Sequence, residues 1–335
     1  MQKEYLSYNL NPNKLVPYWF LFLALLLLPY LSFFLRYFRI EDPTSILGIV
    51  QQHIGWVGFL TFIGYCFFYF QIIKLSIQGL SFREESLKTK MRFGSFLGVV
   101  ILGIVFSVMS IGIYVPWFIQ LLMSYFTNGT SYKGQNFDFK GTGGALFIIF
   151  LKWVILPSLG IGLIAFLMAD LFETNLANGG SAIIVLQVFI QIITYFLFIP
   201  FFYFSYKWRA DVVYGFYDFE VKSEFWPSVK FIAIQLLLTL ITLGFYFPMA
   251  FSKMAERFIN ETLADSATGI YTFEYEANHQ KDYVFYLVQM LLIVVTIGFY
   301  YPWAMSKIGG YVVGKTAMVY KPVVYGEVEQ IDGII

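Results

Sequence analysis

The sequence has little charge for its length. Only 13% of its 335 residues are charged, whereas 59% are hydrophobic and 21% are aromatic. Soluble domains carry about twice that share of charge, so this composition excludes most water-soluble classes of protein. The 22 Lys and Arg residues nearly balance the 21 Asp and Glu residues. The chain therefore lacks the basic field that nucleic-acid binding requires, and nucleic acid is not an expected partner.

Cysteine and histidine are also scarce. Cys66 is the single cysteine, and the two histidines are His53 and His279. No HExxH motif, Cys/His cluster or Ser/His/Asp arrangement marks a metal site or a nucleophile. We therefore expect no metal, no cofactor and no enzymatic activity.

Long apolar stretches predict the architecture. A bilayer core of about 30 Å needs about 20 apolar residues as a helix. Seven stretches meet this requirement, and they lie at Val16–Phe38, Ile46–Ile73, Phe93–Ile119, Ala145–Ala169, Ser181–Tyr206, Val229–Ser252 and Tyr283–Met305. These stretches predict an all-α integral membrane protein with about seven transmembrane helices. We divide it into an N-terminal two-span region, 1–92, and a repeat-containing membrane domain, 93–335.

A motif occurs three times along the second region. Its copies are Ser110-Ile-Gly-Ile-Tyr-Val-Pro-Trp117, Thr242-Leu-Gly-Phe-Tyr-Phe-Pro-Met249 and Thr296-Ile-Gly-Phe-Tyr-Tyr-Pro-Trp303. A degenerate fourth copy ends at Pro200. Each unit closes with alternating apolar and polar residues, which predict short strands at Phe137–Phe139, Tyr217–Val221, Tyr271–Tyr275 and Val323–Val328. The chain thus reads as a fourfold repeat of helix, break and strand.

Glycine and proline predict a helix end or a kink within each copy. Proline removes a backbone donor, and glycine permits departures from helical geometry. Tyrosine and tryptophan beside them are expected at the headgroup level of a bilayer. The residues assigned to this break are Gly112, Pro116, Trp117, Pro200, Gly244, Pro248, Gly298, Pro302 and Trp303.

This pattern resembles the YjgN-like family of bacterial inner-membrane proteins, a family of unknown function. The resemblance rests on Thr-x-Gly-x-Tyr-x-Pro-Trp, as in Thr296 to Trp303, on the downstream Asn-x-Thr and on the Phe-x-Phe element before Gly141. It covers roughly Phe93 to Tyr325. The copy at Pro200 lacks the glycine and the tyrosine, and Met249 replaces the tryptophan. The resemblance implies the inner membrane and no catalytic residue.

The orientation of the repeats stays open. Paired terminal strands require all units to leave the membrane on one face, but strict alternation of seven spans sends the unit at Pro248 to the other face. Alternation also leaves nearly equal numbers of Lys and Arg on the two sides, so the positive-inside rule gives no orientation. Two explanations remain, an inverted arrangement as in some transporters and re-entrant helices.

Polar residues inside the apolar stretches are the candidate interior positions: Gln187, Gln191, Thr194, Gln235, Thr242, Gln289 and Thr296. They predict either a polar path through the bundle or hydrogen bonds between helices. The candidate charges are Lys152, Asp170 and Glu173, since charge at membrane depth marks functional sites. Lys152 could also reach the interface, and both acids could lie outside the bilayer.

Two hypotheses of function follow. The first is transport or permeation of a small or amphipathic solute. The second is a non-transporting scaffold or accessory subunit of a membrane or envelope complex. The expected partners are the lipid bilayer, together with another membrane protein or a second copy of the chain.

Overall fold

The computed structural model describes residues 3–37, 44–167, 181–267 and 269–322. Its helices are Pro12–Tyr37, Thr44–Gly79, Phe93–Met109, Val115–Asn128, Gly143–Phe150, Leu156–Leu167, Ser181–Leu197, Ile199–Arg209, Phe225–Ile241, Phe247–Asn260, His279–Val295 and Tyr301–Gly314. A π-helical turn, Leu151–Ile155, joins the fifth helix to the sixth. The strands are β1 Lys3–Tyr5, β2 Ser7–Tyr8, β3 Leu80–Phe82, β4 Glu85–Ser86, β5 Lys88–Thr89, β6 Thr130–Tyr132, β7 Gln135–Phe139, β8 Val212–Tyr214, β9 Tyr217–Val221, β10 Thr262–Ser266, β11 Gly269–Tyr275 and β12 Thr316–Pro322.

Nine strands form one antiparallel sheet in the order β1-β12-β11-β10-β9-β8-β7-β6-β5. A second sheet, β2-β3-β4, connects the two edge strands of the first sheet along the chain. Its strand β2 follows edge strand β1, and its strand β4 precedes edge strand β5. Arg83 beside the second sheet pairs with Glu4 of β1 at 2.6 Å. The two sheets together therefore form a nearly closed ring of strands.

All helices leave this ring from one rim. Helices connect the ends of β5, β7, β9 and β11 to the starts of β6, β8, β10 and β12. Adjacent strands are antiparallel, so the end of one strand and the start of its neighbour lie at the same rim. The opposite rim carries tight turns, such as Lys133-Gly134, where both residues have the positive φ of a two-residue hairpin turn.

The three complete motif copies each reverse the chain. We name the resulting structures the first hairpin (Phe93–Met109 and Val115–Asn128), the second hairpin (Phe225–Ile241 and Phe247–Asn260) and the third hairpin (His279–Val295 and Tyr301–Gly314). In the second hairpin, Leu243 and Gly244 have φ of +50° and +91°, and the Gly244 N–H donates to the Thr239 carbonyl at 2.8 Å. Two consecutive left-handed residues with this bond end a helix in a Schellman-type turn. The chain then returns toward the sheet.

The copy at Pro200 does not reverse the chain. It lacks the glycine, no described residue from Thr194 to Phe202 has positive φ, and the Phe202 N–H donates to the Phe198 carbonyl across the break. The helix Ser181–Leu197 therefore continues, with one irregular residue, into Ile199–Arg209. It forms the second long pair with the helical segment 143–167. The first long pair is Pro12–Tyr37 with Thr44–Gly79.

The predicted all-α protein with seven spans is wrong. A nine-stranded sheet is present, and among the described helices only Gly58–Gly79 and Gly143–Ile164 are long and apolar enough to cross a membrane. The physical reason is the left-handed turn, which converts three predicted spans into hairpins with a first helix of 17 residues, or about 25 Å. Strict alternation fails for the same reason. The strands predicted at Phe137–Phe139, Tyr217–Val221 and Tyr271–Tyr275 are confirmed, whereas Val323–Val328 lies outside the described residues.

Aromatic contacts join the helical pairs side by side. Trp117 of the first hairpin packs on Phe147 of the second pair, whose Phe204 stacks on Phe225 of the second hairpin. Further contacts are Phe251 on Tyr286, Tyr301 on Trp19, and Phe67 on Phe93. Each pair thus contacts the next, and the third hairpin contacts the first pair. The helices form a closed circuit above the strand ring.

The predicted division at residue 92 falls within this circuit. Strands β1 and β5, which belong to 1–92, are hydrogen-bonded to β12 and β6 of 93–335. The two regions therefore share one sheet.

Candidate functional site

The hairpin tips are apolar and exposed. Ile111, Leu243 and Ile297 occupy the same position of the turn and are 94%, 90% and 84% exposed. Neighbouring exposed tip residues are Val108, Met109, Ile113, Ile241, Phe245, Phe247, Val294, Val295 and Phe299. Exposed apolar side chains that are concentrated in this way mark a membrane or protein contact.

The second long pair is also exposed along its length. Leu156, Leu159 and Leu163 are each more than half exposed. In the segment Gly143–Ile164, no residue of the most apolar stretch is buried. A core helix of a soluble protein would be buried, so these surfaces support membrane association.

A crevice of about 550 Å³ lies between the first long pair and the third hairpin. Its walls are apolar, and they include Ile72, Ile73 and Ile77 from one side and Ala304, Met305 and Ile308 from the other. Tyr8 and Leu80 line it at the sheet. Small-molecule pockets in proteins have about this volume and are mostly apolar. The crevice can therefore hold a hydrocarbon chain.

Two contacts fix the wall of this crevice. The Trp19 indole N–H donates to the Gly298 carbonyl at 3.0 Å, and the Trp19 ring stacks on Tyr301 at 4.6 Å. The polar groups of the lining are few and include the Tyr8 phenol and the Ser76 hydroxyl. Burial raises the pKa of Tyr8, so the phenol is neutral at pH 7 and adds no charge to the crevice.

Two of the predicted glutamines each belong to a set of three hydrogen-bonded side chains. We name these two sets the Gln–Tyr–Lys triads. In the second hairpin, the Tyr246 hydroxyl donates to Gln235 Oε1 at 3.0 Å, and Lys253 Nζ donates to the Tyr246 hydroxyl at 3.1 Å.

The third hairpin repeats this geometry. Its Tyr300 hydroxyl donates to Gln289 Oε1 at 3.0 Å, and Lys307 Nζ donates to the Tyr300 hydroxyl at 2.9 Å. Sequence reasoning missed both lysines, although each lies five residues after the motif proline and directly after a serine.

The side chains at the other predicted polar positions are not members of the triads. Gln187 and Gln191 are exposed, and the Thr194 hydroxyl donates to the Ile190 carbonyl of its own helix. Thr242 and Thr296 belong to the turns. The Thr242 hydroxyl donates to the Leu238 carbonyl at 2.8 Å and accepts the Tyr246 N–H at 2.9 Å. It therefore caps the helix before the turn and the helix after it, and Thr296 does the same.

The motif prolines lie at the start of the returning helices. Pro116, Pro248 and Pro302 are each in the first turn, where a missing N–H costs no helical bond. Trp117 contacts Phe147 of the second long pair, and the ring centroids of Trp303 and Tyr300 lie 6.3 Å apart. Pro200 is buried in the first turn of Ile199–Arg209.

One of the three predicted charges lies within the described residues. Lys152 lies in the π-helical turn and is exposed. Asp170 and Glu173 lie outside the described residues.

A polar network at the sheet-facing base joins the second and third hairpins, and sequence reasoning missed it. Asp282 is fully buried and accepts hydrogen bonds from Ser252 at 2.7 Å, from Tyr311 at 2.8 Å and from Lys315. Burial opposes the ionisation of Asp282, but these bonds outweigh burial and hold its pKa below its usual range. The network fixes the two hairpins to each other.

His279 extends this network to Glu256. Its Nδ1 lies 3.0 Å from Ser252 Oγ, and its Nε2 lies 3.1 Å from Glu256 Oε2. Ser252 is fully buried, and its hydroxyl donates to Asp282, so Ser252 links His279 to Asp282. Among the described residues, no three His, Cys, Asp or Glu side chains form a metal site.

A family model described as "Bacterial protein of unknown function (DUF898)" matches residues 1–282. The YjgN-like family that the motifs resemble is this same family, so that prediction is confirmed. The match also includes residues 1–92, which the motif resemblance leaves out. No curated protein matches the chain, and no solved structure matches it.

Proposed function

We propose that this chain, which belongs to the bacterial family of unknown function DUF898, is an integral membrane protein that binds an amphipathic molecule. Its hairpins enter the bilayer from the sheet side without crossing it, and the crevice beside the third hairpin holds the apolar part of that molecule. Transport or permeation of the bound molecule is the activity that such binding would serve. The observation that carries the proposal is the apolar crevice at the root of exposed apolar hairpins.

Helix length supports entry without crossing. Each hairpin begins and ends at the same rim, and its first helix measures about 25 Å. A hydrocarbon core is about 30 Å thick, and part of each helix must pass the headgroups first. The tips therefore end within the hydrocarbon.

The distribution of lysines supports an orientation. Lys14, Lys74, Lys207 and Lys230 each lie within two turns of the sheet-facing end of their helix. Cytoplasmic segments of membrane proteins carry an excess of Lys and Arg. The sheet would then face the cytoplasm of a bacterial inner membrane.

Cysteine labelling tests the entry of the hairpins. In a Cys66→Ala background, single cysteines replace Ile113, Phe245 or Phe299 at the tips, and Phe216→Cys on the opposite sheet rim serves as the control, since Phe216 is 92% exposed. We expect an impermeant maleimide to label Phe216→Cys from one side and none of the tips from either side. Rapid labelling of the tips from the side opposite the sheet would show crossing spans instead.

Filling the crevice tests the binding. Ile77→Trp and Ile308→Trp place rings in the crevice, whereas Ile234→Trp adds the same ring at a 54% exposed position of the second hairpin. We expect mass spectrometry of the purified protein to detect a bound lipid or other amphipath in the wild type and in Ile234→Trp, and to detect a loss in the two crevice variants.

Two outcomes would change the proposal. Equal retention in all variants would place the ligand elsewhere. A stoichiometric protein partner bound to a chain without ligand would favour the scaffold hypothesis. Flux of the identified molecule into proteoliposomes, compared between wild type and Ile308→Trp, then tests transport.

A further inference from the structure

The lysines of the two triads pair with tyrosine hydroxyl groups, and no carboxylate of the described residues pairs with either lysine. Lys253 and Lys307 each donate one hydrogen bond to a tyrosine hydroxyl, and an ammonium group has three donors. Within the described residues, no Asp or Glu oxygen lies within 4.0 Å of either Nζ. Lys315, at the base of the third hairpin, is paired with buried Asp282. Among the residues that the structure describes, the two triad lysines therefore lack a counter-charge.

The first hairpin shows that the turn does not require these lysines. Gly103 takes the place of the glutamine there, and Leu121 takes the place of the lysine. No charged residue occurs from Phe93 to Asn128. Its turn is the same, since Ile111 and Gly112 have φ of +54° and +86°. The triads are thus an addition to two of the three hairpins.

Depth identifies the anion that the lysines would meet. Lys253 lies six residues after the start of its helix at Phe247, about 9 Å along the axis from the tip. Its ammonium group donates to the Tyr246 hydroxyl, which in turn donates to Gln235 on the other helix of the hairpin. One leaflet of hydrocarbon is about 15 Å thick, so a tip that reaches about 9 Å into that leaflet places the ammonium at the boundary with the headgroups. The abundant anion at that level is a lipid phosphate.

We propose that each Gln–Tyr–Lys triad binds the phosphate group of an anionic phospholipid. The glutamine accepts the tyrosine proton, the tyrosine oxygen accepts from the lysine, and the lysine directs its remaining donors to a phosphate oxygen. This inference rests on the proposed entry of the hairpins into the bilayer.

Native mass spectrometry of the full chain tests this inference. The protein is released from nanodiscs of phosphatidylcholine that contain phosphatidylglycerol as the probe. We expect the wild type to retain two phosphatidylglycerol molecules, Lys253→Met or Lys307→Met to retain one, and the double variant to retain none. Lys222→Met is the matched control, because Lys222 is exposed beside the sheet and paired with Glu220.

The preference for phosphatidylglycerol over phosphatidylcholine should fall about fivefold for each lysine, the factor that corresponds to about 1 kcal/mol for one Lys near an anionic surface. Unchanged retention in the double variant would overturn the proposal. Inorganic phosphate that raises the unfolding temperature in neutral detergent, with no further gain from phosphatidylglycerol, would also overturn it and indicate a soluble anion.

Two measurements separate a failed site from a failed fold or a failed insertion. The double variant should keep the wild-type unfolding temperature in pure phosphatidylcholine, where no anionic lipid is present. If the lysine substitutions do not change phosphatidylglycerol retention while the tip cysteines remain unlabelled by maleimide, only this inference is contradicted. If the tip cysteines are labelled, the proposed function is contradicted as well. Tyr246→Phe frees Lys253 from its phenol, and we expect it to weaken retention less than Lys253→Met does.

Discussion

A charge at a hairpin tip should drive that hairpin out of the bilayer. Leu243 is 90% exposed at the tip of the second hairpin, with φ of +50°. Asp adopts positive φ more readily than Leu does, so Leu243→Asp adds no strain to the turn. Its effect should report the environment of the tip alone.

The expected cost is large if the tip lies in hydrocarbon. The variant loses the favourable free energy of transferring a leucine side chain from water to lipid, about 1.5 to 3 kcal/mol. It also adds the free-energy cost of placing an aspartate at membrane depth, about 2.5 to 3.5 kcal/mol. Together these effects destabilise the inserted hairpin by about 4 to 6.5 kcal/mol. If the tip lies in water, a surface substitution should change stability by no more than about 0.5 kcal/mol.

The assay is the rate at which an impermeant maleimide labels Phe245→Cys in nanodiscs, in a Cys66→Ala background. We expect Leu243→Asp to raise this rate at least about a hundredfold, because each 1.4 kcal/mol changes a population about tenfold. Phe216→Asp, at the equally exposed turn of the opposite sheet rim, should leave the rate and the unfolding temperature unchanged. Equal effects of the two substitutions would refute membrane entry of the second hairpin.

Three further predictions concern packing, capping and charge. Gly103→Ala should destabilise the first hairpin by about 1 to 3 kcal/mol, because an added Cβ would lie 2.0 Å from the Phe118 ring. Gly98→Ala, where an added Cβ has no neighbour within 4 Å, should instead stabilise the hairpin by about 0.5 to 1 kcal/mol. Thermal unfolding of both variants tests this prediction. Thr242→Ala should cost about 1 kcal/mol or more by removing the cap of both helices, and Thr242→Ser should restore most of it; a loss in Ser equal to that in Ala would contradict the capping role. Asp282→Asn should cost about 3 to 5 kcal/mol at pH 7, since Lys315 loses its partner. The pKa of Asp282 is lowered in the folded chain, so its contribution is complete above the ordinary carboxyl pKa of 3.8 and disappears as the pH falls through the lower folded value; acid unfolding curves of wild type and variant should therefore converge at low pH.

Local patterns predicted local structure well. The alternation at Tyr217–Val221 matches β9 residue for residue, because a half-buried strand needs only its own side chains to define its faces. Glycine and proline also marked the break in each hairpin correctly. They did not reveal that the break reverses the chain, since a kink, a helix end and a hairpin turn share the same residues.

The polar positions illustrate the same limit. Gln235 and Gln289 are buried and hydrogen-bonded to tyrosines, yet Gln187 at the same offset is exposed. The difference arises because Pro200 lacks the turn, so no returning helix places a tyrosine and a lysine beside Gln187. Lys253 and Asp282 were missed because their partners lie on other helices or on the far side of a turn.

The sequence by itself determined the apolar composition, the positions of the breaks, several strands and the family, because these depend on residue type and on neighbours along the chain. The tertiary structure decided that three of the apolar stretches form hairpins, that the strands of all the repeats share one sheet, and where the crevice and the triads lie. These features depend on the sign of φ at two residues of each turn and on contacts between helices that are distant in sequence. The apolar pattern of a hairpin and of a transmembrane span is the same, and only the direction of the returning chain separates them.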